Sequence, residues 1–144
     1  MLDPQALKIL ALCAVLLFFK MAVLGIFQSA TRSRLKAYTV PEDALLLGKT
    51  EPVTAEHPDL LRANNAYRND LENIPVFLSL ALIFLHLHAG DGAAMVYFPL
   101  FTLARIGHSI FYVRGLQPWR SISYGVGLLC TVVMSGQIVF AALR

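Results

Sequence analysis

Charge is scarce in this chain of 144 residues: 15% are Asp, Glu, Lys or Arg, against 57% hydrophobic, and mean hydropathy is +0.62. A soluble domain of this length needs more polar surface than such a composition supplies. The same figures exclude a disordered chain, a collagen and an ordinary nucleic-acid-binding domain, so no nucleic acid is expected as a partner. Cysteine is almost missing. Cys13 and Cys130 both lie in apolar runs without metal-ligand spacing, and read as small packing residues rather than a redox pair or a disulfide framework. The sequence also has no glycine-rich phosphate loop, no Ser-His-Asp arrangement, no metal set, no internal repeat and no low-complexity tract. The His86/His88 pair lacks further ligands and reads as interfacial. The length admits one domain.

What the chain has instead is long apolar runs. Crossing a bilayer core of ~30 Å takes roughly 20 helical residues. Runs at residues 7–30, 59–89, 93–112 and 121–143 predict an all-α membrane protein, a bundle of four transmembrane helices in a single domain spanning residues 1–144. The first run continues past Phe27, broken only by Lys20, with no small-residue cleavage site; it reads as a retained span rather than a secretory signal. Lys20 either snorkels or meets an interior carboxylate. The second run has an apolar body only over residues 74–89, so its helix starts earlier and protrudes, with a kink expected at Pro75.

Residues 31–58 form a long polar connection punctuated by Pro41, Gly48, Pro52 and Pro58, while residues 88–92 and 114–119 are short links. Basic residues collect on the first and third connections and their edges: Arg32, Arg34, Lys36, Lys49, Arg62 and Arg68, then Arg114 and Arg120. The middle link has none. That asymmetry puts both basic connections, and the polar chemistry with them, on the cytoplasmic side. Ala142-Leu143-Arg144 carries no retention signal, which leans towards a bacterial inner membrane.

A charge well inside an apolar span costs on the order of 2.5–3.5 kcal/mol and faces the bundle interior. Arg105, His108 and Tyr112 share one helical stripe; Arg68, Asn69 and Glu72 fall largely on another, with Asp70 turned away; Arg120 and Tyr124 are i, i+4, with Ser121 adjacent. Blander readings exist for each. Arg105 could pair with Glu72 and lock helix register, His108 could be an ordinary interior histidine, Arg32 with Arg34 and Lys36 could attract anionic lipid, and the phenylalanines and Trp119 could simply pack and anchor. Yet Arg32, Arg68, Arg105 and Arg120 outnumber the carboxylates near them in the sequence. Buried guanidinium in surplus is costly unless an anion satisfies it, and arginine forks suit carboxylates. The pattern points to a carboxylate-rich small molecule bound at the cytoplasmic helix ends.

These residues carry a resemblance. Arg68-Asn69-Asp70-Leu71-Glu72-Asn73-Ile74-Pro75 followed by Phe77-Leu78, Arg105-x-x-His108-x-x-x-Tyr112, and Arg120-Ser121-x-x-Tyr124 resemble the later helices of the MAPEG family, membrane-associated proteins in eicosanoid and glutathione metabolism. Lys20-Met21, Arg32 and Pro41-Glu42-Asp43-Ala44-Leu45 are similar to the first span and loop of its microsomal prostaglandin E synthase branch. The similarity runs nearly end to end. It implies a homotrimer that binds glutathione between subunits, with contacts mapping onto Arg32, Arg68, Asn69, Glu72, His108, Tyr112, Arg120, Ser121 and Tyr124, and with Arg105 on the same interior stripe. By the same resemblance the arginines hold the tripeptide's carboxylates, Glu72 receives its amino group, Arg120 and Ser121 act on the thiol, and Asp43 matches an acid implicated in the prostaglandin synthase chemistry.

Two branches are mixed here. Asn65 and Tyr67 stand where the prostaglandin synthase typically has arginine and histidine, and Gly115-Leu116-Gln117-Pro118-Trp119-Arg120 is similar to the link of the microsomal glutathione transferases. The favoured expectation is a glutathione transferase acting on lipophilic electrophiles that enter laterally from the bilayer, with lipid hydroperoxides as further substrates. Glutathione-dependent isomerisation of the prostaglandin E synthase type is the enzymatic alternative. A non-catalytic lipid-binding scaffold of the lipoxygenase-activating type is the alternative of another class. A transporter lacks the expected discontinuous-helix or repeat pattern.

Overall fold

A computed structural model describes residues 3–144. The first helix, α1 (Pro4–Leu35), starts where the Asp3 carboxylate accepts from the Gln5 backbone N–H at 2.9 Å and Pro4 occupies the first turn, a position needing no amide donor. It ends at Lys36, held left-handed at φ 50°, with Arg32 and Arg34 beside the carbonyl end of the helix dipole. A three-residue helix, α2 (Pro41–Asp43), runs into a single π-helical turn at Ala44–Gly48. Then come α3 (Pro58–His86), α4 (Asp91–Val113) and α5 (Trp119–Ala142).

Three of the four long helices are apolar and long enough to cross a membrane: α1, Gly92–Val113 of α4, and α5. The fold is therefore all-helical and of membrane-protein type. Helix α3 is different in character. At 29 residues it is about 43 Å long, but its N-terminal half is polar, and it continues as one helix through Pro75. Helix α4 likewise carries Pro99 internally.

Periodicity decides which faces meet. In α1 the buried set Ala6, Leu10, Cys13, Leu17 and Leu24 advances by three, four or seven residues, whereas Leu12, Phe18, Val23 and Ile26 are exposed. A helix apolar on both faces suits lipid or another apolar surface on its outside. In α3 the buried stripe is Leu60, Ala63, Ala66, Asp70, Ile74, Phe77 and Ala81. Helix α4 packs against α1, α3 and α5, and accordingly buries Phe98, Phe101, Thr102, Arg105 and His108. Phe77 and Phe101 stack at 3.6 Å between nearly parallel rings, with Phe98 edge-on to Phe77 at 6.0 Å.

The connection after α1 is folded rather than slack. Tyr38 is buried, its hydroxyl lies 3.2 Å from Ser33 Oγ, and its carbonyl accepts from Val53 N at 2.8 Å. Gly48 packs directly beneath the ring, where any Cβ would stand 2.7 Å from Tyr38 Cδ2. Leu45, Leu46 and Leu47 project outward from the π turn.

Candidate active site

Two polar clusters are built on α4, one inside the bundle and one at its edge. The inner one centres on Asp70, which is wholly buried. Its Oδ1 accepts from Arg105 Nη2 at 2.7 Å, its Oδ2 accepts from Ser109 Oγ at 3.1 Å, and Lys20 Nζ forms a close ion pair with Oδ2. Arg105 Nη2 also donates to Asn69 Oδ1 at 2.5 Å.

This corrects the sequence reading of α3. Asp70 faces inward, and Arg68 and Glu72 face outward, 81% and 60% exposed, paired with each other at 3.5 Å. Arg105 pairs with Asp70 and Asn69, not with Glu72. The physical reason is the stripe itself: Asp70 follows Ala63 and Ala66 and precedes Ile74 at three- and four-residue steps, while Arg68 and Glu72 lie about 200° away on either side. Two interior cations also require a counter-charge at that level. Lys20 meets an interior carboxylate, one of the two outcomes open to it.

The edge cluster gathers His108 and Tyr112 of α4 with Arg120, Ser121 and Tyr124 at the start of α5. The Arg120 guanidinium lies 4.5 Å over the Tyr112 ring, a cation–π contact. His108 is buried between Tyr112 and Tyr124, with ring centroids at 5.5 and 5.9 Å, and its Nδ1 lies 3.1 Å from the Arg120 carbonyl. An Nδ1–H donor to that carbonyl leaves Nε2 as an acceptor, and Nε2 is buried without a partner among the described residues. The Gln117 side chain, not singled out as a site residue in the sequence, ties the cluster together. With its amide oriented to satisfy both neighbours, its oxygen accepts from Arg120 Nε at 3.1 Å and Nη2 at 2.6 Å, and its nitrogen donates to Ser121 Oγ at 3.1 Å. Its position three residues before Arg120 and four before Ser121, one helical turn away, was the available signal.

Charge distribution separates the arginines. Arg32 lies 3.6 Å from Glu56, whose other contact is Asn64 Nδ2 at 2.5 Å. Arg68 has Glu72 and Arg105 has Asp70. Arg120 has no carboxylate within ion-pair distance among the described residues. Asp43 sits half-buried at the end of α2, and its side chain makes no hydrogen bond or ion pair with either cluster among the described residues. Asn69 joins the inner cluster, so residues 68–72 divide between the bundle interior and its outer face.

The fold is that of a helical membrane protein, and these residues form a cationic, hydroxyl-bearing cluster on α4 and α5. The MAPEG family profile matches residues 10–140. The chain is 37% identical to prostaglandin E synthase of Equus caballus, covering 100% of this chain and 94% of that one. It is 35% identical to the Homo sapiens protein of that name over 99% and 94% of the two chains. Microsomal glutathione S-transferase 1 of Homo sapiens is 30% identical over 96% and 92%. The chain belongs to the MAPEG family.

Proposed function

We propose that this protein is a membrane-bound glutathione transferase in which Arg120 and Ser121 ionise the glutathione thiol for attack on lipophilic electrophiles. The observation that carries the reading is Arg120: a guanidinium steered by Tyr112 and Gln117, beside a serine hydroxyl, with no carboxylate in ion-pair distance among the described residues. A free thiol of pKa about 8.5 is only a few per cent thiolate at neutral pH. Each unit of depression requires about 1.4 kcal/mol of preferential thiolate stabilisation. One guanidinium and one hydroxyl donor in a partly dry site are of the size to supply one or two units. The thiol proton leaves to solvent, the sulfur forms a bond to the electrophilic carbon, and the leaving group departs with the displaced electron pair.

Glutathione fits the donor set. Its two carboxylates suit Arg32 and Arg68, its ammonium suits Glu72, and a peptide N–H suits the lone acceptor at His108 Nε2. Tyr112 and Tyr124 flank His108 there, and Asn69 is held in place by Arg105. Because Arg68 and Glu72 lie on the outer face of α3, a second copy must bring its own α4–α5 edge to them. The functional unit in this reading is a homotrimer of subunits with four membrane-spanning helices. The polar ends face the cytoplasm, the direction given by the basic connections.

Isomerisation of a lipid endoperoxide is the second reading, favoured by the names of the most similar relatives cited and by an acid at Asp43. Titrating the detergent-solubilised protein with glutathione while following thiolate absorbance tests the shared step. Adding 1-chloro-2,4-dinitrobenzene, an organic hydroperoxide or a prostaglandin endoperoxide then separates conjugation, reduction and isomerisation. Arg120→Leu is expected to abolish the thiolate signal at neutral pH while tripeptide binding stays measurable; an unchanged signal removes Arg120 from this role. Binding without any thiolate or turnover would favour the lipid-binding scaffold.

A further inference from the structure

Glu56 is an acid that the reaction proposed above leaves without a role. It lies two residues before α3, half-buried, and its Oε1 meets groups carried by two different helices. The Asn64 side chain of α3 donates to it at 2.5 Å, and Arg32 Nη2 of α1 lies 3.6 Å away. The two contacts differ in kind. The first is a hydrogen bond, and the second is longer than one, a Coulombic pairing that leaves the arginine fork open. The Arg32 guanidinium makes no hydrogen bond among the described residues.

The backbone around Glu56 moves freely between two fixed points. Val53 is tied by its N–H to the Tyr38 carbonyl at 2.8 Å, and the His57 ring caps α3 by accepting from the Asp59 N–H at 3.3 Å. Thr54 and Ala55 between them are exposed, and residues 54–56 make no backbone hydrogen bond among the described residues. Glu56 can therefore leave Arg32 without loosening either anchor. A pairing of two partly solvated charges shifts an equilibrium by a factor of about five. A ligand carboxylate seated on the open fork makes two charge-assisted hydrogen bonds in its place, so it wins the exchange but binds more weakly by that factor.

We propose that Glu56 is a built-in competitor for the carboxylate position at Arg32, an affinity-setting residue that a ligand carboxylate must displace. The inference rests on the reading in which Arg32 takes a carboxylate of glutathione. A conjugate formed at the sulfur keeps both carboxylates of the tripeptide, so Glu56 competes against product as well as substrate. Its return to Arg32 hastens release of the conjugate, a step that limits turnover in many enzymes.

The test is isothermal titration calorimetry of the full-length protein in detergent with glutathione, S-hexylglutathione and glutathione diethyl ester, the last having no free carboxylate. Glu56→Gln keeps an acceptor for Asn64 but no charge. It is expected to bind the first two ligands about fivefold more tightly than wild type, and the diester with unchanged affinity. Glu56→Ala is expected to repeat the gain without the Asn64 contact, and a thermal midpoint close to wild type shows that each variant is folded. In an Arg32→Gln background the gain is expected to vanish, because no cation is left to compete for. Unchanged affinity in both Glu56 variants, a gain shared by the diester, or a gain that survives Arg32→Gln would each overturn the proposal. Weaker binding would overturn it too, and would make Glu56 a partner of the tripeptide's ammonium. A wild type that binds glutathione without forming thiolate would sink the transferase reading and leave this one standing. If neither wild type nor variants bind glutathione, both fall.

Discussion

Asp70 is the residue on which the bundle interior depends. A carboxylate with no solvent contact holds Lys20, Arg105 and Ser109 at once. Removing the charge leaves two buried cations without compensation, which costs about 3–5 kcal/mol when one partner of a buried ion pair is lost. Asp70→Asn is expected to lower the thermal midpoint in detergent steeply, and a shift of only a degree or two would show that the pair is solvated in the folded protein. Two residues along, the outcome reverses. Glu72 is exposed and its pairing with Arg68 is a surface one, worth 0.2–1 kcal/mol at about the median of such pairs. Glu72→Gln is expected to leave the thermal midpoint nearly unchanged and to weaken glutathione binding about tenfold by calorimetry, the loss of one charge-assisted hydrogen bond. Equal destabilisation by both variants would mean that Glu72 is structural. This contrast also marks where the sequence was readable. The motif spanning residues 68–75 identified the family, but charge count alone did not tell which acid turns inward. The alanines at 63 and 66 carried that information: small residues at three- and four-residue steps from Asp70 mark the side where α3 approaches its neighbours.

Among the elements, the connection between α1 and α3 was the least legible. Its prolines and glycine announce a loop, and nothing in their spacing announces that Tyr38 folds back under it or that Ala44–Gly48 forms a π turn. The burial of Tyr38 depends on contacts to Gly48 and Val53, ten and fifteen residues away, which no local periodicity encodes. The long helices were legible because apolar runs of membrane-spanning length mark them; the caps at Asp3-Pro4 and His57-Pro58 that set where α1 and α3 start emerged with the structure. The packed loop makes a prediction at this scale. Gly48→Ala places a methyl against the buried Tyr38 ring, and overpacking of that kind costs about 1–3 kcal/mol. The expected result is faster proteolytic cleavage within residues 37–57 at unchanged helicity by circular dichroism. Gly136→Ala, where an added Cβ meets nothing within 4 Å, is the matched control and is expected to cleave at the wild-type rate. If both variants are cleaved alike, the loop is not held by Tyr38.

At the scale of the whole molecule, the distribution of the residues proposed to bind glutathione over two surfaces is the point that most needs explanation. Arg120, Ser121, Tyr112 and His108 form one cluster on α4 and α5, while Arg68 and Glu72 contact each other on the outer face of α3. A rigid tripeptide-sized ligand engages both sets if adjacent subunits present complementary halves, as closed rotational symmetry permits. Complementation decides the matter. Glu72→Gln subunits, which bind glutathione about tenfold more weakly, and Arg120→Leu subunits, which form no thiolate, are co-expressed with different tags, and the mixed oligomers are purified and assayed at a glutathione concentration well below the dissociation constant of Glu72→Gln. If every site takes α3 from one subunit and α5 from the next, random mixing regenerates about one intact site in four, because only one ordered pairing of the two variants supplies both native residues. Thiolate formation near that fraction of wild type is the expected result. Sites contained within single subunits would instead give no recovery at any mixing ratio, since every chain would carry a damaged site. That outcome would overturn the shared-site arrangement and require Glu72 and Arg120 of one subunit to act on the same ligand, against the outward placement of Glu72 on α3.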